Sequence, residues 1–413
     1  MYIPKVEEWY DGEIFKLANG ATVWAVSLPE AKRFAVSCLV KAGSDQDPKG
    51  YEGCAHAFEH MPFRGAGRFR TKRQLLSKIE NLDGKVGANT THERTFFYAY
   101  TDPALMSHAL EVVTSMVFEP HFNTIAIELE TIVQEFHQSR TNPDRRAFET
   151  FMHHLNPGHP MSLPVIGLPD SIRRLTETTL REFHQEWYRP ANMIFTLVGP
   201  GSTTAMIEAI MPYLEKQQSG VVQAPVKPAT TACSNHQRVT WNLQPSRVMS
   251  AGVFPHTPMN ALLNDLRSKL LITGMTSPMF LQLRERRGYC YSWTDGPFTY
   301  GEYGVEMFAT QLWLEREAEF WSDYSKVCST QSMTTARHQT MRRYIRACAE
   351  HAQIDEMAIA EKAAVQLWHF GQVVLRNDKL RQKLSLPLEQ IHDFHECYLS
   401  PDKCFYLTIE PQS

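Results

Sequence analysis

Apolar and polar positions along the first half of the chain follow strand-like and helix-like patterns in turn. Residues 21–26 and 34–40 are short apolar runs bounded by turn residues, which predicts two buried strands. Residues 54–61 contain no helix breaker, which predicts a short helix that Pro62 ends sharply just after His60. The remaining patterns predict helices over 71–82, 103–118, 124–139 and 178–187, and strands over 94–100 and 193–199.

The second half of the chain repeats this style. Strand-like runs at 247–253 and 405–409 enclose long helical patterns such as 335–350. Between the halves, a stretch rich in Gln, Pro, Ala and Thr lacks helical periodicity. We therefore expect an α+β fold of two similar domains, each a mostly antiparallel sheet packed with helices. The predicted parts are an N-terminal domain (1–215), a linker (216–235) and a C-terminal domain (236–413).

Length and composition place the chain among globular proteins. Its 413 residues are enough for two or three domains, and 43% hydrophobic with 21% charged residues excludes a disordered or fibrous chain. The 42 Lys and Arg against 45 Asp and Glu give a net charge of −3 without a basic stripe, so no nucleic-acid partner is expected. Since no apolar run reaches about 18 residues, no membrane span is expected.

The N-terminus and the cysteines indicate a reducing compartment. The first residues mix charged and aromatic side chains and lack the plan of a signal peptide. The 8 cysteines are spread thinly and form no C-x-x-C pair, which favours reduced thiols. We therefore expect the protein in the cytoplasm.

The motif H-A-F-E-H at 56–60 carries the strongest chemical signal. On a helix, His56 and His60 share one face, so both imidazoles can reach one ion. Zinc accepts imidazole ligands, and a catalytic zinc typically takes three protein ligands and a water. Glu59 is adjacent and can accept a proton from that water. The order H-x-x-E-H is the inverzincin signature.

A further ligand must come from another segment, and the helix predicted over 124–139 offers two candidates. Glu128 and Glu135 are seven residues apart, or two helical turns, so they share a face with Ile132. Carboxylates on an otherwise apolar, inward face need partners. Glu130 falls off this face and is expected to be solvated. On spacing alone, either inward glutamate could complete a metal site.

The chain resembles the pitrilysin/insulinase-type (inverzincin) zinc metallopeptidases, especially short single-half members similar to the mitochondrial processing peptidase beta subunit. Glu128 and Glu135 match the family's second acidic pair, and residues 277–292 match its Arg/Tyr segment. One departure is Asp-Gln-Asp at 45–47, where members often have an Arg-Asp-Glu-like run. The other matching stretches, in family order, are 17–20, 41–44, 53–65, 159–167, 187–193 and 198–199.

This resemblance implies a role for each candidate site residue. It implies one zinc ion per chain held by His56, His60 and Glu135, with Glu59 as general base and Glu128 as a supporting carboxylate. It also implies that Arg284 and Tyr291 bind the substrate carbonyl, because the family's tyrosine follows its arginine by seven. Tyr289 is a competing tyrosine. Cys54 is left out, because positions i and i+2 of a helix point apart.

The family encloses substrates in a chamber of two bowl-shaped halves, and the resemblance implies that this chain is one such half of the clamshell. A homodimer or a heterodimer with a related subunit would close the chamber, and the Arg/Tyr pair would serve the facing subunit. Substrate peptides would add as a strand to a sheet edge at Ala88, Asn89 and Thr90, which resemble the family's edge strand.

The expected function is therefore a zinc-dependent metalloendopeptidase that hydrolyses peptides or small unfolded proteins with a metal-activated water. The alternative is a non-catalytic or partner-dependent subunit of a heterodimeric peptidase. A peptidase dedicated to one precursor peptide would have the same motifs.

Overall fold

The computed structural model of the chain describes residues 12–220, 235–241, 245–351, 355–373 and 376–411. Within them, the chain forms two β-sheets, each packed with helices, so the predicted α+β class is confirmed. Part of the predicted linker, 221–234, lies outside the described residues, and the boundaries at 215 and 236 stay a prediction.

The first sheet has six strands, in the spatial order β1-β2-β6-β3-β5-β4. They are β1 (Glu13–Lys16), β2 (Thr22–Ser27), β3 (Phe34–Val40), β4 (Lys85–Thr90), β5 (Thr95–Thr101) and β6 (Met193–Gly199). All described pairs are antiparallel except β2 with β6. The order makes β4 an edge strand. The helices of this half are α1 (Cys54–His60), α2 (Lys72–Glu80), α3 (Met106–Phe118), α4 (Ile125–Ser139), α5 (Pro143–Leu155), α6 (Pro169–Arg174), α7 (Glu177–Trp187) and α8 (Thr203–Glu215).

The second sheet repeats this plan with five strands, in the order β7-β11-β8-β10-β9. They are β7 (His236–Trp241), β8 (Ser246–Pro255), β9 (Trp293–Tyr300), β10 (Tyr303–Leu312) and β11 (Phe405–Pro411). Here too one described pair, β7 with β11, is parallel and the others are antiparallel. The helices are α9 (Pro258–Ile272), a π-helix (Phe280–Arg286), α10 (Glu317–Val327), α11 (Thr335–His351), α12 (Glu356–Phe370), α13 (Arg376–Ser385) and α14 (Leu388–Tyr398).

The two halves exchange one helix each. Helix α12 places Ala360, Ala364 and Leu367 in one apolar cluster with strands of the first sheet. Helix α5 likewise places Phe151 and Leu155 in one cluster with strands of the second sheet. With helices on both faces of the first sheet, all seven residues of β3 and of β6 are buried, which is why these strands are continuous apolar runs instead of alternating ones.

The short helix of the H-x-x-E-H motif has the predicted position. The α-helix ends at His60, but the chain does not stop turning there, because Met61–Arg64 continues as a 3₁₀ turn. Pro62 is tolerated in the first turn of that 3₁₀ segment, where its missing N–H has no helical partner to lose. None of the described helices is both long and apolar enough to cross a membrane.

The helix exchange predicts unequal effects of two substitutions on α12. Glu356 is 4% exposed, and its Oε1 accepts the backbone N–H groups of Lys32 and Arg33 at 3.0 and 3.2 Å. Glu356→Ala leaves these donors without an acceptor and should lower the free energy of unfolding by about 1–3 kcal/mol. Glu361→Ala on the same helix removes only an ion pair with Arg94 in which the Glu361 side chain is 42% exposed. It should lower the free energy of unfolding by less than about 1 kcal/mol. Equal losses in denaturant titrations would contradict this account.

Candidate metal centre

The helix that carries both histidines is held at its N-terminus by a residue outside it. Helix α1 begins after Gly53, whose φ of 97° and whose close approach to the carbonyl oxygen of Ile166 leave no room for a side chain. A glycine cannot cap the helix with a side chain. Asp47 does so instead, because its two carboxylate oxygens accept the N–H groups of Gly53 at 2.6 Å and Ala55 at 2.7 Å.

The structure brings His56, His60 and Glu135 together. One ligand atom from each side chain lies within 4.8 Å of the others, and no second such cluster of His, Cys, Asp and Glu occurs in the described part of the chain. The Nε2 atom of His56 is 3.8 Å from Oε1 of Glu135, and Nε2 of His60 is 3.7 Å from Oε2. Helix α4 therefore directs its second inward glutamate at the two imidazoles of α1.

The other inward glutamate supports one of these imidazoles from behind. Glu128 is 6% exposed, and its Oε1 lies 2.8 Å from Nδ1 of His60, while its other oxygen accepts hydrogen bonds from Arg64. Burial alone raises the pKa of Glu128, but the hydrogen bonds from His60 and Arg64 outweigh it and leave the pKa below its usual value. An ionised Glu128 makes Nδ1 the donor, so Nε2 of His60 is free to bind a metal.

The two imidazoles differ in their electrostatics. Burial, together with the positive charges of His60 and Arg145, lowers the pKa of His56 to about 3. His56 is therefore neutral near pH 7, the form that binds metals. For His60, burial also lowers the pKa, but the Glu128 hydrogen bond and the carboxylates of Glu59 and Glu135 raise it above its usual value.

Glu59 is buried between α1 and the edge strand. Its residue exposure is 8%, and its Oε2 accepts the hydroxyl of Thr90 on β4 at 2.6 Å. Burial raises the pKa of Glu59, while the Thr90 hydroxyl and the positive charge of His60 partly counteract the rise. The carboxyl is thus held in one position beside the cluster with its proton affinity increased.

The edge position of β4 supports the predicted location of a peptide strand. Ala88 pairs with Phe97, and the ladder continues through Asn89 to Thr90 at the end of the strand. Among the described strands, β4 pairs only with β5, so its outer backbone groups face away from the sheet. Thr90 joins this edge to Glu59, which places the strand and the cluster side by side.

The two candidate tyrosines of the second half have different environments. Tyr289 is buried and donates its hydroxyl to Asp323 at 3.0 Å. Tyr291 is 80% exposed, and the guanidinium of Arg284 lies 4.4 Å from the centre of its ring. The exposed tyrosine is therefore the one available to a substrate. Within the described residues, the contacts of Arg284 are with its own segment and not with the His/Glu cluster.

No local sequence pattern indicates the roles of two supporting residues. Asp47 belongs to the unusual Asp-Gln-Asp run, and its contacts with backbone N–H groups six and eight residues later follow no periodic pattern. Arg64 lies in the 3₁₀ turn that follows α1, and only the fold brings it to Glu128. The buried Cys54 faces the apolar core, in agreement with its exclusion as a ligand.

The donor set fits zinc. Ligand atoms that bind one zinc at about 2.0–2.2 Å stand roughly 3.4 Å apart, close to the observed nitrogen–oxygen separations. Two imidazoles and one carboxylate are a known ligand set of catalytic zinc, and a carboxylate behind a ligating imidazole is a common supporting contact.

Two family models match the chain in succession. The model described as insulinase (peptidase family M16) matches residues 22–167, which contain α1, β4 and both inward glutamates of α4. The model described as the peptidase M16 inactive domain matches residues 174–338, which contain Arg284 and Tyr291.

Named relatives include zinc proteases. A protein of Rickettsia felis named an uncharacterized zinc protease is 26% identical over 298 residues, which are 71% of each chain. The mitochondrial-processing peptidase subunit beta of Lentinula edodes is 30% identical over 193 residues, which are 46% of this chain and 40% of that one.

Solved structures share the fold over nearly the whole chain. A protease from Helicobacter pylori has a TM-score of 0.84 at 19% identity, covering 97% of this chain and 100% of the other. The periplasmic protease PqqL from Escherichia coli has a TM-score of 0.78 at 14% identity, covering 97% of this chain but 48% of PqqL. The chain therefore has the fold of one half of that longer protein, as the sequence predicted.

The contact between Thr90 and Glu59 predicts how Glu59 titrates. The Thr90 hydroxyl lowers the pKa of Glu59, so Thr90→Val should raise it and keep the carboxyl protonated to higher pH. Thr90→Ser keeps a hydroxyl and should leave the titration close to that of the original protein. Carbon-13 NMR of glutamate-labelled, metal-free protein can follow the carboxyl, with Glu59→Gln identifying its signal. An unchanged titration in Thr90→Val would show that the hydroxyl does not stabilise the ionised form.

Proposed function

We propose that this chain, which belongs to the insulinase family of peptidases (peptidase family M16), is a zinc-dependent endopeptidase that hydrolyses peptides or small unfolded proteins. The observation that supports this most directly is the convergence of His56, His60 and Glu135, with Glu59 buried beside them. These three side chains would hold one zinc ion. The named zinc protease of Rickettsia felis supports the choice of metal.

Glu59 would act as general base and then as general acid. When bound, zinc polarises the scissile carbonyl and lowers the pKa of a water at the site. Glu59 takes a proton from the attacking water as the carbon–oxygen bond forms, and gives it to the amine nitrogen as the carbon–nitrogen bond breaks. Burial raises the pKa of Glu59 above its usual value, which makes the carboxylate a stronger base for the first step.

The peptide would bind as an added strand along β4. Its backbone would pair with the outer edge at Ala88, Asn89 and Thr90, next to Glu59. Backbone pairing gives affinity with little dependence on sequence. The small side chain of Ala88 allows the close approach that such pairing needs.

Arg284 and Tyr291 would donate hydrogen bonds to the substrate carbonyl and to the oxyanion that develops on it. Because they lie in the second half, we propose that they serve the active site of a facing subunit. The facing subunit is a second copy of this chain or a related partner. The Lentinula edodes relative is named as the beta subunit of a peptidase, which supports an assembly of this kind.

The complete cluster favours a catalytic chain over a non-catalytic subunit. A subunit without activity has no need for three converging ligands and a fourth, buried carboxylate.

We also retain the cytoplasm as the proposed compartment, on the basis of the thinly spread cysteines. The structural relative PqqL is named a periplasmic protease, so the fold alone does not decide the compartment.

A digest of a peptide mixture tests the proposal. Glu59→Gln should retain one zinc per chain in elemental analysis but hydrolyse peptides at least about 100-fold more slowly, since general acid–base catalysis contributes roughly 10²–10⁴-fold. The matched control is Glu130→Gln on α4, an exposed glutamate that pairs with Arg173 at 3.4 Å, and it should keep the original rate. The mass of the active assembly, measured on the same samples, shows whether the active form contains the proposed facing subunit. Wild-type turnover in Glu59→Gln would refute the role of Glu59.

A further inference from the structure

A second candidate site lies where the exchanged helix α5 meets the second sheet. A cavity of about 420 Å³ opens there, within the usual range of ligand pockets. One wall is apolar, with Phe148 from α5 and Met249, Trp293 and Met307 from the sheet. Arg247 is the cation among its lining residues. A cavity that combines an apolar wall with one guanidinium suits a ligand that has both an apolar part and an anion.

Within the described residues, Arg247 uses two of its three side-chain nitrogens in hydrogen bonds. Its side chain is only 5% exposed, its Nε donates to Asp144 at 3.0 Å, and its Nη1 donates to the carbonyl of Pro245 at 3.5 Å. No hydrogen bond within the described residues uses its Nη2. A guanidinium removed from water is stabilised best by a carboxylate bound through two parallel hydrogen bonds. Among the described residues, Asp144 supplies one hydrogen bond of this kind, from a single carboxylate oxygen to Nε.

Asp144 is a weak competitor for that guanidinium. Its side chain is 74% exposed, so water stabilises its charge whether or not it pairs with Arg247. A ligand carboxylate could therefore displace it or share the guanidinium with it at little cost. In the alternative interpretation, the ion pair between Asp144 and Arg247 only stabilises the packing of α5 on the second sheet.

Two residues relate the cavity to the proposed active sites. Helix α4, which carries Glu135, leads into α5 through residues 140–142. Arg145, which follows Asp144, is close enough to His56 for its positive charge to act on that imidazole. Tyr291, which is proposed to contact a substrate at the facing subunit, lines the cavity itself. A peptide that contacts Tyr291 is therefore at the cavity, which another of its residues can enter.

We propose that this cavity binds a carboxylate-bearing residue of the peptide substrate, with the carboxylate on Arg247 and the apolar part of the residue against Phe148 and Trp293. The carboxylate is that of an acidic side chain or of the C-terminus, because both present the same group. This inference rests on the proposed peptidase function and adds a selection for acidic peptides.

Binding of four labelled peptides tests the inference without requiring hydrolysis. The peptides share one sequence with either glutamate or glutamine at an internal position, each with a free or an amidated C-terminus. Fluorescence anisotropy is measured on full-length Glu59→Gln protein, so that no peptide is consumed. We expect one acidic member to bind at least tenfold more tightly than its neutral counterpart. The pair that differs identifies the side chain or the C-terminus as the source of the carboxylate.

Two substitutions with opposite effects assign the selection to Arg247. Arg247→Gln should abolish the preference for the acidic peptide, whereas Asp144→Asn removes the competing carboxylate and should increase it at least twofold. Arg238→Gln is the matched control, because Arg238 also lies in the second sheet but is exposed and paired with Glu317 and Glu410. Should Arg247→Gln fail to fold, Asp144→Asn decides alone.

Several results would overturn the inference. They are equal binding of acidic and neutral peptides, no measurable binding of any peptide, a preference that survives Arg247→Gln, and a preference that does not rise in Asp144→Asn. Hydrolysis without any acidic preference would overturn this inference and leave the peptidase function intact. An acidic preference in binding without hydrolysis by the wild-type protein would support this inference and contradict the peptidase function.

Discussion

The hydrogen bond between His60 and the buried carboxylate of Glu128 is the contact on which the arrangement of the site depends. It joins α1 to α4, and it selects the ring nitrogen that His60 turns towards Glu135. Glu128 would be costly to bury without partners, and His60 and Arg64 provide them. One contact therefore fixes the ring orientation and stabilises the carboxylate.

The dependence is strong because α1 is only seven residues long. A helix of this length is not stable by itself in water, so its position must come from its surroundings. Asp47 caps its first turn, and Phe58 packs against the rings of His184 and Tyr188 on its inner side. The histidines are thus placed by contacts from several separate segments, and small shifts in any of them would move the ligand atoms.

The sequence was informative where the chemistry follows a local period. Residues that are four or seven positions apart lie on one face of any α-helix. The shared face of His56 and His60, and that of Glu128 and Glu135, could therefore be predicted. The buried strands could be predicted from another local signal, a short apolar run bounded by turn residues. The choice between Glu128 and Glu135 as the third group depends on the distance between two helices, and spacing alone left it open.

Other contacts between distant segments could not be predicted from local patterns, whereas the family resemblance did indicate that Glu135 joins the two histidines. The return of Asp47 to α1 and the approach of Thr90 to Glu59 have no periodic signal. The exchange of α5 and α12 is a similar case, because an apolar helix face shows that a helix packs but not on which sheet. The exchange brings α5, from the half that carries the His/Glu cluster, onto the second sheet, where Asp144 meets Arg247.

Zinc-edge X-ray absorption tests most directly whether His56, His60 and Glu135 bind one zinc ion. Protein loaded with one equivalent of zinc should show only nitrogen and oxygen ligands at about 2.0–2.2 Å, including two imidazoles, and Glu135→Gln should change this spectrum. A sulfur ligand at about 2.3 Å, fewer than two imidazoles, or a spectrum unaffected by Glu135→Gln would contradict it.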